Sequence, residues 1–386
     1  KKIYYKINFN KKSLKMLKNF LISLDVESNL RDIVTSFSQG CIMIQKELNS
    51  YDRINSVEIG HNISGDAQKP IDIRANQCIL SSLEKNKSIF YLTSEEEDRT
   101  KLMYSGPLSH FPENLYSVAF DPLDGSDNVD CNGCVGTIFG IYKETNEEFQ
   151  YGTNLVCSGY AIYSNPMVFV VTFGEEVYEF KLNNEGLFTK TAKNLLIPHN
   201  PKRIFSGNPG NISKWHEKDR NFFNWIVSEK EKYTFRYTGC MVYDIHRILC
   251  QGGIFMYPSD SKNKNGKLRM FYECMPMAFI VEAANGFAYD GKKRLLDNYV
   301  LTPHEKTPIY IGCKRDITIY KHFYQMNRKN FVIETYKGSG SDDLSVDEGD
   351  IIKDYTILND DRWTRVTDMN SKSGLVPTKC LFLEKY

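Results

Sequence analysis

No run of about 18 apolar residues occurs in the 386-residue chain, so no segment has the length and hydropathy of a membrane-spanning helix. The opening stretch KKIYYKINFNKK lacks the apolar core of a secretory signal, and the chain is expected to be soluble and cytoplasmic, with no membrane partner. A charge excess of either sign is also missing. Forty-nine basic residues face 48 acidic ones, and the net charge of +1 provides no overall field to recruit a nucleic acid. The ten cysteines are scattered, which fits reduced thiols better than a disulfide framework. Only Cys131 and Cys134 form a C-x-x-C, and no second pair or suitably spaced histidine follows to complete a zinc site. Internal repeats and low-complexity tracts are absent too.

What is present is an ordinary globular composition, 41% apolar and 25% charged, with ample side chains for a core. Residues 28–50 place Leu30, Ile33, Val34, Phe37, Cys41, Ile44 and Leu48 at three- and four-residue steps, which predicts a helix. Residues 52–68 are polar and break that period, so they read as a long loop before a second helix at PIDIRANQCILSSLEKN. From residue 115 the texture changes to short aromatic and β-branched runs: LYSVAF, VGTIFGIY, NLVCSGYAIY and MVFVVTFGEEVYEFKL, the pattern of strands. Beyond them CMVYDIHRILCQ reads as helix and GGIFMYP as strand. LRMFYECMPMAFIVEAANG reads as one long apolar helix closed by Asn285 and Gly286. Interleaved helices and strands predict a layered α/β or α+β architecture.

After DITIYKHFYQMNRKN the helical period disappears. Short strands such as DIIKDYTIL and RWTRVTDM alternate with Gly-Asp and Asp-Asp turns, which predicts a separate all-β module over residues 331–386 behind a main region of residues 1–329.

Acidic residues cluster in four segments: SGDAQKPID (64–72), SEEED (94–98), DPLDGS (121–126) and YECMP (272–276). Clustered carboxylates repel one another and resist desolvation, so they need a cation or must lie apart in solvent. Pro122 sets the chain direction after Asp121 and Gly125 permits a tight return, so one turn can aim Asp121 and Asp124 at a single point. Such a turn offers two carboxylates and a carbonyl oxygen to a hard cation such as Mg²⁺ or Mn²⁺. Taken singly, each piece has a plainer reading: Glu95, Glu96 and Glu97 as a solvated rim, Asp121 and Asp124 as turn caps.

The blocks SGDAQKPID, SEEED, FDPLDGSDNVD with VGTIFGIY, RYTGCMVYDIHRIL, GGIFMYP and GKLRMFYECMPMAFIVEAANG together resemble the fructose-1,6-bisphosphatases, in the same order and at similar spacings, over residues 12–326. The resemblance implies a layered α-β-α-β-α sandwich and hydrolysis of the 1-phosphate of fructose 1,6-bisphosphate, the gluconeogenic reaction. It implies that Asp66, Glu95, Glu96, Asp121, Asp124 and Glu273, with the Leu123 carbonyl, hold two or three divalent ions, Mg²⁺ or Mn²⁺. It also implies that Asp72 with Glu96 helps deprotonate the attacking water. Gly125 and Ser126 fall beside the transferred phosphate. Asn208, Arg236, Tyr237, Met241, Tyr257, Lys267 and Arg269 fall where the family contacts the distal phosphate and the sugar. The residue matching Arg236 reaches a neighbouring subunit's site in that family, so a homo-oligomer, usually a tetramer, is implied.

Residues 331–386 resemble an SH3 domain, a kind of module that binds proline-rich peptides. The resemblance rests on DDLSVDEGDII, on Asp361, Arg362 and Trp363, and on GLVPTKCL. Trp363 and Pro377 fall on its peptide groove, with Asp342, Asp343 and Glu348 as the acidic side. Two groove tyrosines are missing: Glu334 stands at one place and Cys380 at the other. A folded tail that packs on the catalytic part stands beside the peptide-binding reading.

Several positions depart from the family. Asp127 replaces a usual serine beside the phosphate turn, where it either repels substrate or draws in a further cation. Asn211 replaces a tyrosine that contacts phosphate, which keeps sedoheptulose 1,7-bisphosphate open as a substrate. The AMP site of many members resembles a Gly- and Thr-rich loop before the first helix, a Lys-Tyr pair and a basic residue after IFGIY. Here DVESNLRD, Leu115-Tyr116 and Lys143 stand there, so AMP inhibition is expected to be weak or absent. No inserted loop around Cys131 and Cys134 marks redox control. A scaffold acting through the SH3-like part is the reading of a different class.

Overall fold

Alternation along the aromatic strands sets the layers. The computed structural model describes residues 16–51, 60–61, 67–106, 114–145, 150–228, 233–324, 330–347, 350–359 and 362–383. An eight-stranded sheet comprises β1 (Ile89–Ser94), β2 (Lys101–Leu102), β3 (Tyr116–Asp124), β4 (Gly136–Lys143), β5 (Leu155–Ile162), β6 (Val168–Thr172), β7 (Val177–Leu182) and β8 (Phe188–Lys190). Its order is β8-β7-β6-β5-β4-β3-β1-β2, antiparallel except where β1 runs parallel to β3. On one face Phe120, Phe139 and Phe169 meet α1 (Leu17–Ser23), α2 (Ser28–Ser50) and α3 (Pro70–Leu83). Phe37 of α2 stacks on Phe139 with centroids 4.3 Å apart.

The opposite face, with Ala119, Ile138, Tyr142 and Tyr160, covers α5 (Met241–Gln251) and α6 (Met275–Ala283). Beneath these helices lies a second sheet of β9 (Ile204–Ser206), β10 (Thr234–Phe235), β11 (Ile254–Tyr257), β12 (Gly286–Tyr289) and β13 (Ile309–Cys313), in the order β10-β9-β11-β13-β12. Its outer face, including Phe205, Ile254, Met256 and Tyr310, packs on α4 (Glu217–Ile226) and α7 (Lys314–Tyr324). The result is the layered α-β-α-β-α sandwich.

The helix predicted at 28–50 is α2, and its periodic residues Leu30, Ile33, Val34, Phe37, Cys41 and Ile44 are buried. The segment read as one long apolar helix from Leu268 behaves differently. Leu268–Arg269 form a short ladder with Lys306–Thr307, Met270–Cys274 make a π-helical turn, and α6 begins at Met275. An apolar run carries no signal for such a switch, because strand, π turn and helix are all buried here. MVFVVTFGEEVYEFKL divides into the hairpin β6–β7. Of the loop expected at 52–68, residues 52–59 and 62–66 lie outside the described residues, and Gly60–His61 pairs with Ala67–Gln68.

The C-terminal part is a three-stranded antiparallel sheet of β14 (Ile352–Ile357), β15 (Trp363–Asp368) and β16 (Ser373–Pro377). Phe331–Val332 pairs with Leu381–Phe382 to close it. Its core holds Val332, Val346, Ile352, Val366, Val376, Cys380 and Leu381. No described helix is long and apolar enough to cross a membrane.

Candidate metal-binding active site

An irregularity in β3 brings its two aspartates together. Asp121 pairs with Ile138 and Asp124 with Gly136, so three steps on β3 match two on β4 and one residue is extra. In a regular strand residues three apart point to opposite faces, and the bulge at Pro122-Leu123 places both on one side. The Leu123 amide donates to Asp121 Oδ1 at 2.8 Å, and the strand then leaves through Gly125, whose φ is +76°. The bulge, more than a simple turn, makes Asp121 and Asp124 converge.

Glu273 joins them from the π-helical turn. Ligand oxygens of Asp121, Asp124 and Glu273 all lie within 4.8 Å of one another, and all three residues are buried. The Val242 amide at the start of α5 (2.8 Å) and the Cys240 thiol (3.1 Å) donate to Asp124 Oδ2. The Arg269 amide donates to Glu273 Oε2 at 2.5 Å. Glu95 follows the end of β1 and is held there by its amide on the Phe120 carbonyl at 3.1 Å. Its Oε1 lies 2.7 Å from Arg269 Nη2.

Asp72 and Glu96 flank this group. Asp72, in the first turn of α3, accepts the Lys69 amide at 2.8 Å and a hydrogen bond from Ser126, and Glu95 is among the charges acting on it. Glu96 accepts from Gln68, while Glu97 faces α3 and accepts from Asn76 at 2.8 Å. The SEEED run is thus divided, with Glu97 turned away. Asp66 and the SH3-side residues Glu348 and Asp361 lie outside the described residues.

Electrostatics set what the site can hold. Burial pushes Asp72 and Asp124 up to about 6, in each case against the hydrogen bonds they accept. Burial, with Glu95 adding to it, brings Glu96 to about 7. Burial lifts Glu273 to about 8 against the pull of Arg269, and lifts Asp121 well above the usual carboxylate range, with Glu95, Asp124 and Glu273 adding to it. Arg269 faces Glu95 and Glu273 and is the guanidinium set against this group of carboxylates. All-oxygen donors with excess negative charge suit a hard divalent cation, and the residues fit one.

The remaining candidates are distributed around this centre. Gly125 and Ser126 open the 3₁₀ turn beside Asp124. Met241 starts α5 and is buried, and burial raises the Tyr237 hydroxyl, with Tyr257, Asp244 and Asp124 adding to it. Asn208 caps a 3₁₀ turn by accepting the Gly210 amide at 3.1 Å. Arg236 and Lys267 are exposed, whereas Arg269 is buried and committed to Glu95. The added acid Asp127 has its own counter-charge. Lys69 Nζ lies 3.4 Å from Asp127 and 2.8 Å from Asp130. Nothing in the sequence marks Lys69, although it sits three residues before Asp72 and joins that aspartate's cap to the phosphate turn. Nothing marks Cys240 either, an apolar-looking thiol that contacts Asp124.

In the C-terminal part Tyr336 and Trp363 lie edge to face at 5.9 Å, and Trp363 pairs across the ladder with Pro377. Two of its acids are already engaged: Asp342 pairs with Arg365 at 2.5 Å, and Asp343 accepts from the Tyr336 hydroxyl and the Ser339 and Gly340 amides. Cys380 is a core residue.

Two family models, described as Fructose-1-6-bisphosphatase, N-terminal domain and Fructose-1-6-bisphosphatase, C-terminal domain, match residues 16–193 and 197–325. A third, SH3 domain, matches residues 333–378. The chain is 35% identical over 324 residues to the chloroplastic fructose-1,6-bisphosphatase of Spinacia oleracea, covering 76% of each chain. It is 37% identical over 280 residues to the cytosolic enzyme of Brassica napus, covering 70% of this chain and 81% of that one. Among solved structures, Leishmania major fructose-1,6-bisphosphatase in holo form superposes with a TM-score of 0.74 at 31% identity, over 80% of this chain and 98% of that one.

Proposed function

The chain belongs to the fructose-1,6-bisphosphatase family, and from that premise we propose that it hydrolyses the 1-phosphate of fructose 1,6-bisphosphate, giving fructose 6-phosphate and inorganic phosphate, with two or three Mg²⁺ or Mn²⁺ ions. The observation that carries this reading is the buried group of Asp121, Asp124 and Glu273, with oxygens within 4.8 Å and carboxyls raised by burial and mutual repulsion. A protein without a cation to hold has no physical reason to keep such a group, which weighs against a scaffold that merely retains the fold.

Glu95, Glu96, Asp121, Asp124, Glu273 and the Leu123 carbonyl are the ligands in this proposal, and the family resemblance adds Asp66, which lies outside the described residues. When bound, divalent ions neutralise the transferred phosphoryl group and acidify a water. Asp72, assisted by Glu96, takes the proton from the attacking water as its oxygen bonds to phosphorus and the phosphorus–ester oxygen bond breaks, and the departing sugar O1 takes up a proton from solvent to leave as a hydroxyl. Both residues flank the metal-binding carboxylates, Asp72 at the first turn of α3 and Glu96 just after β1, which supports their role as bases at that water. Ser126, tied to Asp72, orients the phosphate next to that base. Arg236, Tyr237, Tyr257 and Lys267 receive the sugar and its distal phosphate.

The exposed Arg236 supports a homotetramer in which it completes a neighbour's site. The unpaired cysteines support a reducing compartment such as the cytoplasm.

Phosphate release from fructose 1,6-bisphosphate and sedoheptulose 1,7-bisphosphate, with Mg²⁺, Mn²⁺ or EDTA, tests the reading. Asp72→Asn is expected to lower kcat by at least about 100-fold with KM little changed, because proton transfer by a positioned base is worth that much. Normal turnover in Asp72→Asn, or turnover indifferent to EDTA, removes the proposal.

A further inference from the structure

The start of α4 and the segments 259–265, 290–292 and 305–308 enclose an open cavity of about 680 Å³. None of the carboxylates of the metal site lines it. Five of its side chains are basic: His216, Lys218, Lys264, Lys292 and Lys306. Three acidic residues also line it, and two of them are spent on their own loops. Asp290 Oδ1 accepts the Lys292 and Lys293 amides at 2.6 and 2.7 Å, and its Oδ2 accepts from Asn298 at 3.1 Å. Glu305 Oε2 accepts the Leu301 amide at 2.6 Å. The third, Glu217, is an exposed residue of the first turn of α4.

With Asp290 and Glu305 held by donors on their own loops, four lysines from four segments stand against three carboxylates, so the lining is positive by about one charge and offers several ammonium groups to one anion. A cavity of this size takes a small metabolite whole. Two of the walls, residues 259–266 and 305–308, meet closely: Gly266 has φ +82°, and a Cβ there would lie 2.4 Å from Pro308 N. We propose that this cavity binds a small phosphorylated polyanion at a site separate from the catalytic centre. The binding claim does not depend on the sugar-phosphatase assignment.

The test uses the whole protein in EDTA, with 3-phosphoglycerate as probe and thermal unfolding as readout. A saturable rise in Tm that weakens with added salt is expected. The double variant Lys264→Glu/Lys292→Glu changes two exposed side chains and is expected to abolish the rise, while leaving Tm without probe and Mg²⁺-dependent turnover within about twofold of the parent, as surface substitutions generally do. Lys264→Gln/Lys292→Gln is expected to give an intermediate response, which checks that charge and not misfolding is responsible. No rise in the parent, or an undiminished rise in the Glu variant, overturns the proposal, the latter by sending the probe to the catalytic centre.

Discussion

At the residue scale, protonation of the acidic group links stability to metal and pH. Unfolded Asp and Glu titrate near 3.8 and 4.5, whereas in the folded, metal-free protein Asp72 and Asp124 stand at about 6 and Glu273 at about 8. The folded state thus holds protons that the unfolded state has released. Its advantage is complete below about pH 4 and is lost as pH rises through 6 to 8. Chelation is therefore expected to lower Tm more at pH 8 than at pH 5, measured by calorimetry with and without EDTA; an equal drop at both pH values counts against the ion-binding role. Asp121 and Asp124 are legible in the sequence because Pro and Gly punctuate them. Lys69 and Cys240 were not legible, since neither a lysine beside a helix start nor a thiol in an apolar run announces a polar partner until distant segments meet.

At the element scale, the bulge in β3 and the turn after it carry the site. Gly125 has φ +76°, and a Cβ there would meet Cys240 Cβ at 2.8 Å. Gly125→Ala is expected to cost about 1–3 kcal/mol, from left-handed strain together with the clash. The same change should weaken substrate binding by displacing Ser126, so Tm and KM move together. A second element bears on regulation. Glu27, just before α2, accepts the Tyr116 hydroxyl, so the tyrosine of the altered nucleotide block is occupied and an acid stands beside it. Micromolar AMP is therefore expected to leave the rate of the purified protein unchanged; inhibition at that level contradicts the reading. The strands and α2 could be read from period alone. The π turn that delivers Glu273 could not, because the hydrophobic pattern around it is continuous.

At the scale of the whole molecule, the C-terminal domain is docked on the catalytic part. Phe382 lies 5.4 Å from Trp225 of α4 and 6.0 Å from Phe323 of α7, ring centre to ring centre, and Ile333 enters the same cluster. The two helices are cross-linked near that contact, where Tyr310 and Tyr320 both donate to Asp219 Oδ1 at 2.8 Å. Phe382→Ala is expected to destabilise the docking by less than the ~3–5 kcal/mol of a fully buried Phe. Hydrogen exchange should quicken in α4, α7 and β14–β16 and stay unchanged in α2. Unchanged exchange throughout would mean that the domain holds its place by other contacts. Asp342 and Asp343 are engaged by Arg365, Tyr336 and the 339–340 amides, so a peptide's basic anchor has to compete with those bonds at these two residues.

The sequence alone determined the family, the strands β3–β5, the helices α2, α3 and α5 and the identity of the acidic residues, because short-range period and motif order are written along the chain. Only the tertiary structure decided that Glu97 turns away while Glu95 stays, that Arg269 is committed to a carboxylate, that Lys69 answers Asp127, and that lysines from four separate segments share one cavity. Those outcomes depend on which groups share a buried volume. Desolvation and Coulomb energy act through space, and linear order does not encode the distances that set them.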